Sequence, residues 1–142
     1  MPAVTSPDRA FAKSKRLLRH ADFQRVYKLG RRQFTGSMTV FFLRRAPDPA
    51  TDHSPSLRVG FTVGKVLGGS VERNRIKRRM REAVRTSWPE TEAPVDVVFH
   101  PRKSVLKLPF PEVTREVARG LQLAVQRARE AKPANQVQVE DK

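Results

Sequence analysis

The sequence predicts an α+β fold, a single α/β sandwich in which a small sheet packs against helices in the order α-β-β-α-β-α. Three short segments rich in β-branched and aromatic residues, 38–45, 57–63 and 95–99, are typical of strands. Two longer segments, 70–87 and 111–131, carry apolar residues at helical spacing. A chain of 142 residues has the length of one ordinary domain, so we expect the sandwich to be single.

The first element is a short helix. Residues 1–12 are polar, contain two prolines and show no sustained periodicity, so they are interpreted as a flexible basic arm ahead of the domain, residues 13–131. From residue 21 to 29, Phe23, Val26 and Tyr27 recur at helical spacing. Gly30 follows where a left-handed C-terminal cap favours glycine, which predicts that the helix ends there.

Two strands come next. The segment MTVFFLRR begins at Met38, and residues 57–63 alternate apolar with polar or small side chains. Within the first of these strands, Phe41 is expected to face away from Val40 and Phe42. Three prolines in residues 46–56 predict an exposed loop between the strands.

The remaining elements are a long helix, a strand and a last helix. Residues 70–87 form the long helix, and Pro89 prevents its extension. The segment VDVVF, 95–99, predicts the third strand. Pro111 suits the first turn of the last helix, and residues 132–142, which lack any pattern, are expected to be a disordered tail. The apolar stripe of the last helix comprises Val113, Val117, Leu121, Ala124 and Ala128.

The charge of the chain indicates a polyanionic partner. There are 29 Lys and Arg residues against 14 Asp and Glu, which gives a formal net charge of +15 and a pI near 11.4. No segment approaches the roughly 20 consecutive apolar residues that cross a bilayer, and the N-terminus lacks the pattern of a secretory signal. The chain contains no cysteine, which excludes disulfides and thiolate metal ligands. We therefore expect a cytoplasmic protein that binds nucleic acid.

The long helix carries the strongest local signal. Of the 13 residues in RNRIKRRMREAVR, which starts at Arg73, seven are Lys or Arg. Helical geometry places Ile76, Met80, Ala83 and Ser87 on one face and Asn74, Arg78, Arg81 and Arg85 on the opposite face. Like charges at i,i+3 and i,i+4 spacing destabilise a free helix by a few tenths of a kcal/mol per pair. Phosphates would compensate, and the helix is therefore predicted to bind nucleic acid in a salt-dependent way.

From Arg58 to Arg85 the sequence RVGFTVGKVLGGSVERNRIKRRMREAVR resembles the signature of the bacterial ribonuclease P protein component, including its Arg-Asn-Arg motif. The segments DFQRVYKLGRR and VDVVFHPRK resemble the first helix with its following turn and the third strand of the same family, so the likeness covers about residues 13–130. The resemblance implies a ribosomal-protein-like sandwich with a left-handed βαβ crossover, against the general right-handed rule.

The resemblance also implies the function. In that family the RNA subunit is the catalyst, with bound Mg²⁺ activating water, while the protein holds the catalytic RNA and the 5′ leader of precursor tRNA. No metal or cofactor is expected on the protein alone. The positions that match the family's contacts to the catalytic RNA are Arg73, Asn74, Arg75, Lys77, Arg78 and Arg81. Those that match its leader cleft are Phe23, Tyr27 and Phe41, with Arg31, Arg32, Arg58 and Lys65 as phosphate partners.

Other interpretations of the same residues stay open at this point. Phe23 and Tyr27 are one helical turn apart, and they could be ordinary core residues. A protein-only nuclease would need acid–base pairs or clustered carboxylates, whereas His20, His53 and His100 are far apart in sequence and no such pair is evident, so no catalytic residue is predicted. A ribosomal or architectural RNA-binding protein would share the charge and size. Neither a membrane nor DNA is expected as a partner.

Overall fold

The computed structural model describes residues 15–17, 19–45, 57–91 and 93–130. The expected arm, the proline-containing loop and the tail lie outside these residues. The elements along the chain are α1 (His20–Leu29), β1 (Arg31–Phe34), β2 (Met38–Arg44), β3 (Arg58–Phe61), α2 (Ser70–Thr86), β4 (Val95–Pro101) and α3 (Phe110–Glu130). Short 3-10 helices, Lys65–Leu67 and Lys103–Leu106, precede α2 and α3. The α+β class is confirmed, and the described residues contain four strands where the sequence predicted three.

The four strands form one sheet in the order β1-β2-β4-β3. The β1–β2 and β2–β4 pairs are antiparallel, whereas β3 and β4 are parallel and are joined through α2. A parallel pair needs such a crossover, so α2 is held against the sheet by its own connections. The left hand of this crossover stays a prediction from the family resemblance.

The strand that the sequence analysis missed is β1. Its four residues, RRQF, are all exposed, and they carry no alternation of apolar and polar side chains. The strand exists because a hairpin turn returns the chain onto β2, where Arg32 pairs with Phe41 and Phe34 with Thr39. Arg31 and Arg32 therefore belong to an edge strand rather than to a turn.

Gly30 ends α1, but not in the predicted left-handed conformation. Its φ is −84° and its ψ 177°, which is extended backbone, and its N–H donates to the Val26 carbonyl. A β-carbon at this position would lie 2.5 Å from the Val26 oxygen and 2.6 Å from the Phe42 oxygen. Glycine is needed here because two backbones approach closely, not because of its φ.

The sheet separates two apolar layers. The larger layer lies under α2 and α3 and contains Met38, Val40 and Phe42 of β2 together with Phe99 of β4. In α2 the predicted apolar residues Ile76, Met80 and Ala83 are buried, and all five residues of the predicted α3 stripe are buried as well. These helix faces are confirmed, apart from Ser87, which follows the end of α2 and is half-buried.

The smaller layer lies on the other face of the sheet, under α1. It is built on the buried residues Leu17, Val26 and Val98, with Phe23, Tyr27, Phe41 and Leu43 half-buried around them. Phe41 thus faces away from Val40 and Phe42, as the alternation of β2 predicted. Since α1 has only ten residues, it leaves part of this face of the sheet uncovered.

Candidate RNA interface

The outer face of α2 is a cationic surface, which we define by Asn74, Arg75, Arg78 and Arg81. All four side chains are exposed, and the described residues include no hydrogen-bond or ion-pair partner for them. Beside them, Arg73 is half-buried and donates from Nε to the Gly68 carbonyl at 3.2 Å, and Lys77 is also half-buried. The structure therefore brings the six predicted contacts to the catalytic RNA onto one helix, with four of them on its solvent side.

Two further arginines of α2 have partners within the protein. Arg85 forms an ion pair with Glu82, and this hydrogen bond lowers the pKa of the Glu82 carboxyl and raises the pKa of Arg85. Arg79 donates to the Leu108 carbonyl and lies 5.8 Å over the Phe110 ring. Arg79 therefore fixes the segment before α3, whereas its neighbour Arg78 points into solvent.

An aromatic cluster lies between α1 and the sheet. The ring centroids of Tyr27 and Phe41 are 5.3 Å apart, and His100 of β4 lies 5.1 Å from Tyr27 and 4.8 Å from Phe41. His100 Nε2 and the Tyr27 hydroxyl form a 2.7 Å hydrogen bond, and the same hydroxyl bonds with Thr62 Oγ1. We call Tyr27, Phe41, His100 and Phe23 the cleft cluster.

The fourth member of the cleft cluster, Phe23, lies directly on the backbone of β3. A β-carbon on Gly60 would be 2.5 Å from Phe23 Cζ and 3.0 Å from Leu17 Cβ. A larger residue there would displace the Phe23 ring, so the glycine allows this ring to rest on the sheet. Phe23, Tyr27 and Phe41, which the resemblance assigned to one cleft, do lie together, but only partly buried.

His100 was missed as a member of this cluster. From the sequence His100 was considered only for a catalytic role. The signal that could have found it is its position in β4, two residues from Val98 and therefore on the same face. Burial lowers the pKa of its imidazole, which favours the neutral form of the ring. A neutral imidazole can accept a hydrogen bond at one nitrogen while it donates at the other.

The predicted phosphate partners are distributed unequally around the cleft. Arg32 pairs with Phe41 across the β1–β2 ladder and so shares the cleft face, whereas Arg31 pairs with Phe42 and shares the opposite face. Lys65 is exposed in the 3-10 helix that follows β3. The structure thus brings Arg32, but not Arg31, to the face that carries the aromatic rings.

Arg58 occupies an internal ion-pair network. It donates from Nε and Nη2 to the two oxygens of Asp96, both at 2.8 Å, and lies 3.8 Å from Asp22 of α1. Asp96, whose side chain is 1 % exposed, also accepts from Arg45 at 2.8 Å. The network ties α1 to β3 and β4, so Arg58 helps to position the cleft. Its contact with a leader phosphate stays a prediction.

Neither a metal site nor a membrane-spanning helix is found in the described residues. Within residues 15–17, 19–45, 57–91 and 93–130, no three His, Asp or Glu side chains converge as a metal site would require. Of the predicted non-catalytic histidines, His20 is exposed at the start of α1, and His53 lies outside the described residues. The helices in these residues are too short or too polar to span a bilayer.

Together these features define a small α+β protein with two surfaces suited to a polyanion: a cationic helix face and a half-open aromatic cleft with basic residues at its edge. The family model for ribonuclease P matches residues 11–125. The chain belongs to the ribonuclease P protein family, and the resemblance stated above is confirmed.

Individual relatives agree with this assignment. The chain is 39% identical over 105 residues to the ribonuclease P protein component of Symbiobacterium thermophilum, covering 74% of this chain and 86% of the relative. It is 44% identical over 101 residues to that of Paramagnetospirillum magneticum, with 70% and 74% covered. A mutant ribonuclease P protein from Staphylococcus aureus superposes with a TM-score of 0.65 at 27% identity, covering 79% of this chain and 89% of the other.

Proposed function

We propose that this chain is the protein subunit of a ribonuclease P particle, in which it binds a catalytic RNA and the 5′ leader of precursor tRNA. The observation that carries the proposal is the pairing of two different surfaces on one small fold. One is a helix face with four exposed polar or cationic side chains, and the other is a cleft of half-buried rings. A helix face suits folded RNA, and rings beside cations suit a single strand.

The catalytic RNA is assigned to the outer face of α2. Its guanidinium groups offer planar donors that can grip a phosphate with two hydrogen bonds, and each neutralised phosphate releases counterions. Arg79 and Arg85 direct terminal guanidinium nitrogens to acceptors within the protein and are not among the proposed contacts, whereas Arg73 uses only its Nε, for the Gly68 carbonyl. The proposed contacts are Arg73, Asn74, Arg75, Lys77, Arg78 and Arg81.

The leader is assigned to the cleft. Stacking of a base on an aromatic side chain is worth about 1–3 kcal/mol and tolerates any base, which suits leaders of differing sequence. The rings are those of Phe23, Tyr27 and Phe41. Positive charge comes from Arg32 on the same face of the sheet and from Lys65 in the 3-10 helix that follows β3. Arg31 extends the positive charge of β1 on its other face, and Arg58 holds α1 in place.

Cleavage is assigned to the RNA. The family resemblance supports an RNA subunit that binds Mg²⁺ and activates water, with the protein contributing affinity and no reacting group. A subunit of this kind works where precursor tRNA is made, which places it in the cytoplasm.

The experiment that tests this function is isolation of the tagged chain from its own cells, followed by sequencing of the RNA that co-purifies with it. We expect one long structured RNA, and we expect the purified particle to remove leaders from precursor tRNA. Recovery of ribosomal RNA without leader-cleaving activity would overturn the proposal in favour of an architectural RNA-binding protein.

A further inference from the structure

Phe34 is an exposed aromatic residue on the edge strand β1. It is 57 % exposed, whereas the rings of the cleft cluster are half-buried. Edge strands are commonly protected by charge, and β1 carries Arg31 and Arg32, yet Phe34 presents an apolar ring at this edge. The ring contributes nothing to either apolar layer of the fold.

The register of the sheet places Phe34 on the same face as the cleft. Phe34 pairs with Thr39 of β2, and Thr39 pairs with His100 of β4, so these three residues form a row across the sheet. Two strand spacings separate Phe34 from His100, about 10 Å. Phe41 is the diagonal neighbour of Phe34, about 7–8 Å away, which is the scale of the step between bases in an extended strand.

One arginine lies over the Phe34 ring, and a second lies at the same end of the hairpin. The Arg32 guanidinium lies 5.3 Å over the Phe34 ring and leaves donors for a phosphate. Arg102, which follows β4, is exposed and donates to the Gly36 carbonyl at 3.1 Å, and so lies at the same end of the hairpin. An exposed ring with a guanidinium group over it is complementary to a nucleotide, which offers a flat base and an anionic phosphate.

We propose that Phe34, with Arg32 and Arg102, forms an additional nucleotide subsite that continues the leader cleft across the β1 edge. The proposal rests on the proposed function, because it extends the same site by one base. In it, Phe34 stacks on a leader base different from the one at Tyr27, while the two arginines contact the neighbouring phosphates. Phe34 is not among the residues predicted for the leader cleft from the sequence.

The test uses the reconstituted particle, the full chain with its catalytic RNA, and a set of precursor tRNAs in which one leader nucleotide at a time is abasic. Affinity is measured for the wild type and for Phe34→Ala, Phe34→Tyr, Tyr27→Ala and Gln33→Ala. Gln33 is the matched control, since it is exposed in the same strand but pairs with Val40 on the opposite face.

We expect one abasic leader position to weaken binding by the wild type about five- to 100-fold. The same abasic position should leave binding by Phe34→Ala unchanged, because this variant already lacks the ring on which the missing base would stack. Phe34→Tyr should behave as the wild type, Gln33→Ala should retain the sensitivity, and Tyr27→Ala should be insensitive at a different position. Because β1 is exposed throughout, the Phe34 and Gln33 variants should fold, and circular dichroism verifies the folding of these variants and of Tyr27→Ala.

The remaining outcomes separate the subsite from the function on which it rests. Suppose that Tyr27→Ala has become insensitive to one abasic leader position, whereas Phe34→Ala is as sensitive as the wild type at every position. The subsite is then overturned and the leader cleft is retained. If neither variant shows a leader position at which it has become insensitive, the subsite and the assignment of the leader to the cleft are both overturned. If Phe34→Ala instead dissociates a dimer in sedimentation, the ring is a protein contact and the subsite is also overturned.

Discussion

At the scale of single residues, Tyr27 connects three parts of the cleft. Its hydroxyl bonds with His100 and Thr62, and its ring meets Phe41 edge-on. Tyr27→Phe removes only the hydroxyl and its hydrogen bonds, whereas Tyr27→Ala also removes the ring, so the two contributions can be measured separately. A purely structural residue would affect every ligand alike, whereas a leader contact would not.

Tyr27→Ala should weaken binding of leader-bearing precursor tRNA about five- to 100-fold and leave binding of mature tRNA unchanged, because only the precursor places a base in the cleft. Tyr27→Phe keeps the ring and serves as the control, with a smaller loss expected. Affinities of both tRNAs for the reconstituted particle provide the measurement. Equal weakening for the two tRNAs would place Tyr27 in the core alone.

Asp96→Asn should destabilise the fold. The substitution removes the charge that Arg58 and Arg45 share, and we expect a loss of about 3 kcal/mol, near the lower end for broken buried pairs because Arg58 is 26 % exposed. Glu112→Gln, which breaks an exposed pair with Arg115, is the matched control and should cost about 0.5 kcal/mol or less. Urea unfolding of both variants checks this, and equal small losses would contradict it.

His100 should make the fold acid-sensitive. Burial lowers its pKa in the folded protein below the usual value of about 6.5, so the unfolded chain binds more protons in acid. This residue therefore has no effect on the free energy of unfolding above about pH 6.5, and it lowers that free energy as the pH falls further. His100→Gln lacks this contribution, so urea unfolding from about pH 7.5 to 5 should show a shallower decline for the variant. Parallel declines would refute the prediction.

At the scale of elements, α2 divides its arginines between two tasks. Arg78 projects into solvent, whereas Arg79 turns back to the segment before α3. Sequence periodicity located the buried stripe of this helix correctly, because one helical face must be apolar to pack on the sheet. It could not identify which arginine has an internal acceptor, since that acceptor is a backbone carbonyl 29 residues away.

Arg78→Ala should weaken association with the catalytic RNA and reduce the slope of log affinity against log salt by about 1, as expected for one lost phosphate contact. Arg115→Ala is the control, because it removes an equally basic, exposed side chain from α3. Filter binding between about 50 and 200 mM salt gives both slopes. An unchanged slope for Arg78→Ala would exclude this residue from the interface.

Elements with an apolar pattern were predictable, and β1 was not. The strands β2, β3 and β4 and all three helices bury side chains, which leaves a periodic signal in the sequence. β1 buries nothing, and only its pairing with β2 defines it. Because β1 was not predicted, the sequence also could not show that Arg31 and Arg32 point to opposite faces of the sheet.

At the scale of the whole molecule, the two proposed RNA surfaces lie on opposite sides of the sheet. α2 covers one face and directs its cations away from the sheet, while the cleft cluster occupies the other face beside α1. One protein can therefore contact the catalytic RNA and a leader at the same time. The family and its general function were predictable from sequence, whereas the place of His100 required the register of β4 against β2.

If cleavage belongs to the RNA, no histidine should be essential. Substitution of His20, His53 and His100 together by glutamine should lower the cleavage rate at saturating precursor by less than the roughly 10²-fold that loss of a general acid or base causes. Single-turnover cleavage by the reconstituted particle measures this, with binding to the catalytic RNA as the control for folding. Complete loss of cleavage with intact RNA binding would assign chemistry to the protein.

The contact of Phe23 with Gly60 fixes how closely α1 can approach β3. The tip of the Phe23 ring, its Cζ and Cε2 atoms, fills the space that a β-carbon on Gly60 would occupy. Interiors of proteins resist compression, so any side chain at position 60 would push the ring outward and disturb the cluster that it shares with Tyr27 and Phe41. The shape of the proposed leader site therefore depends on the absence of a single methyl group on a neighbouring strand.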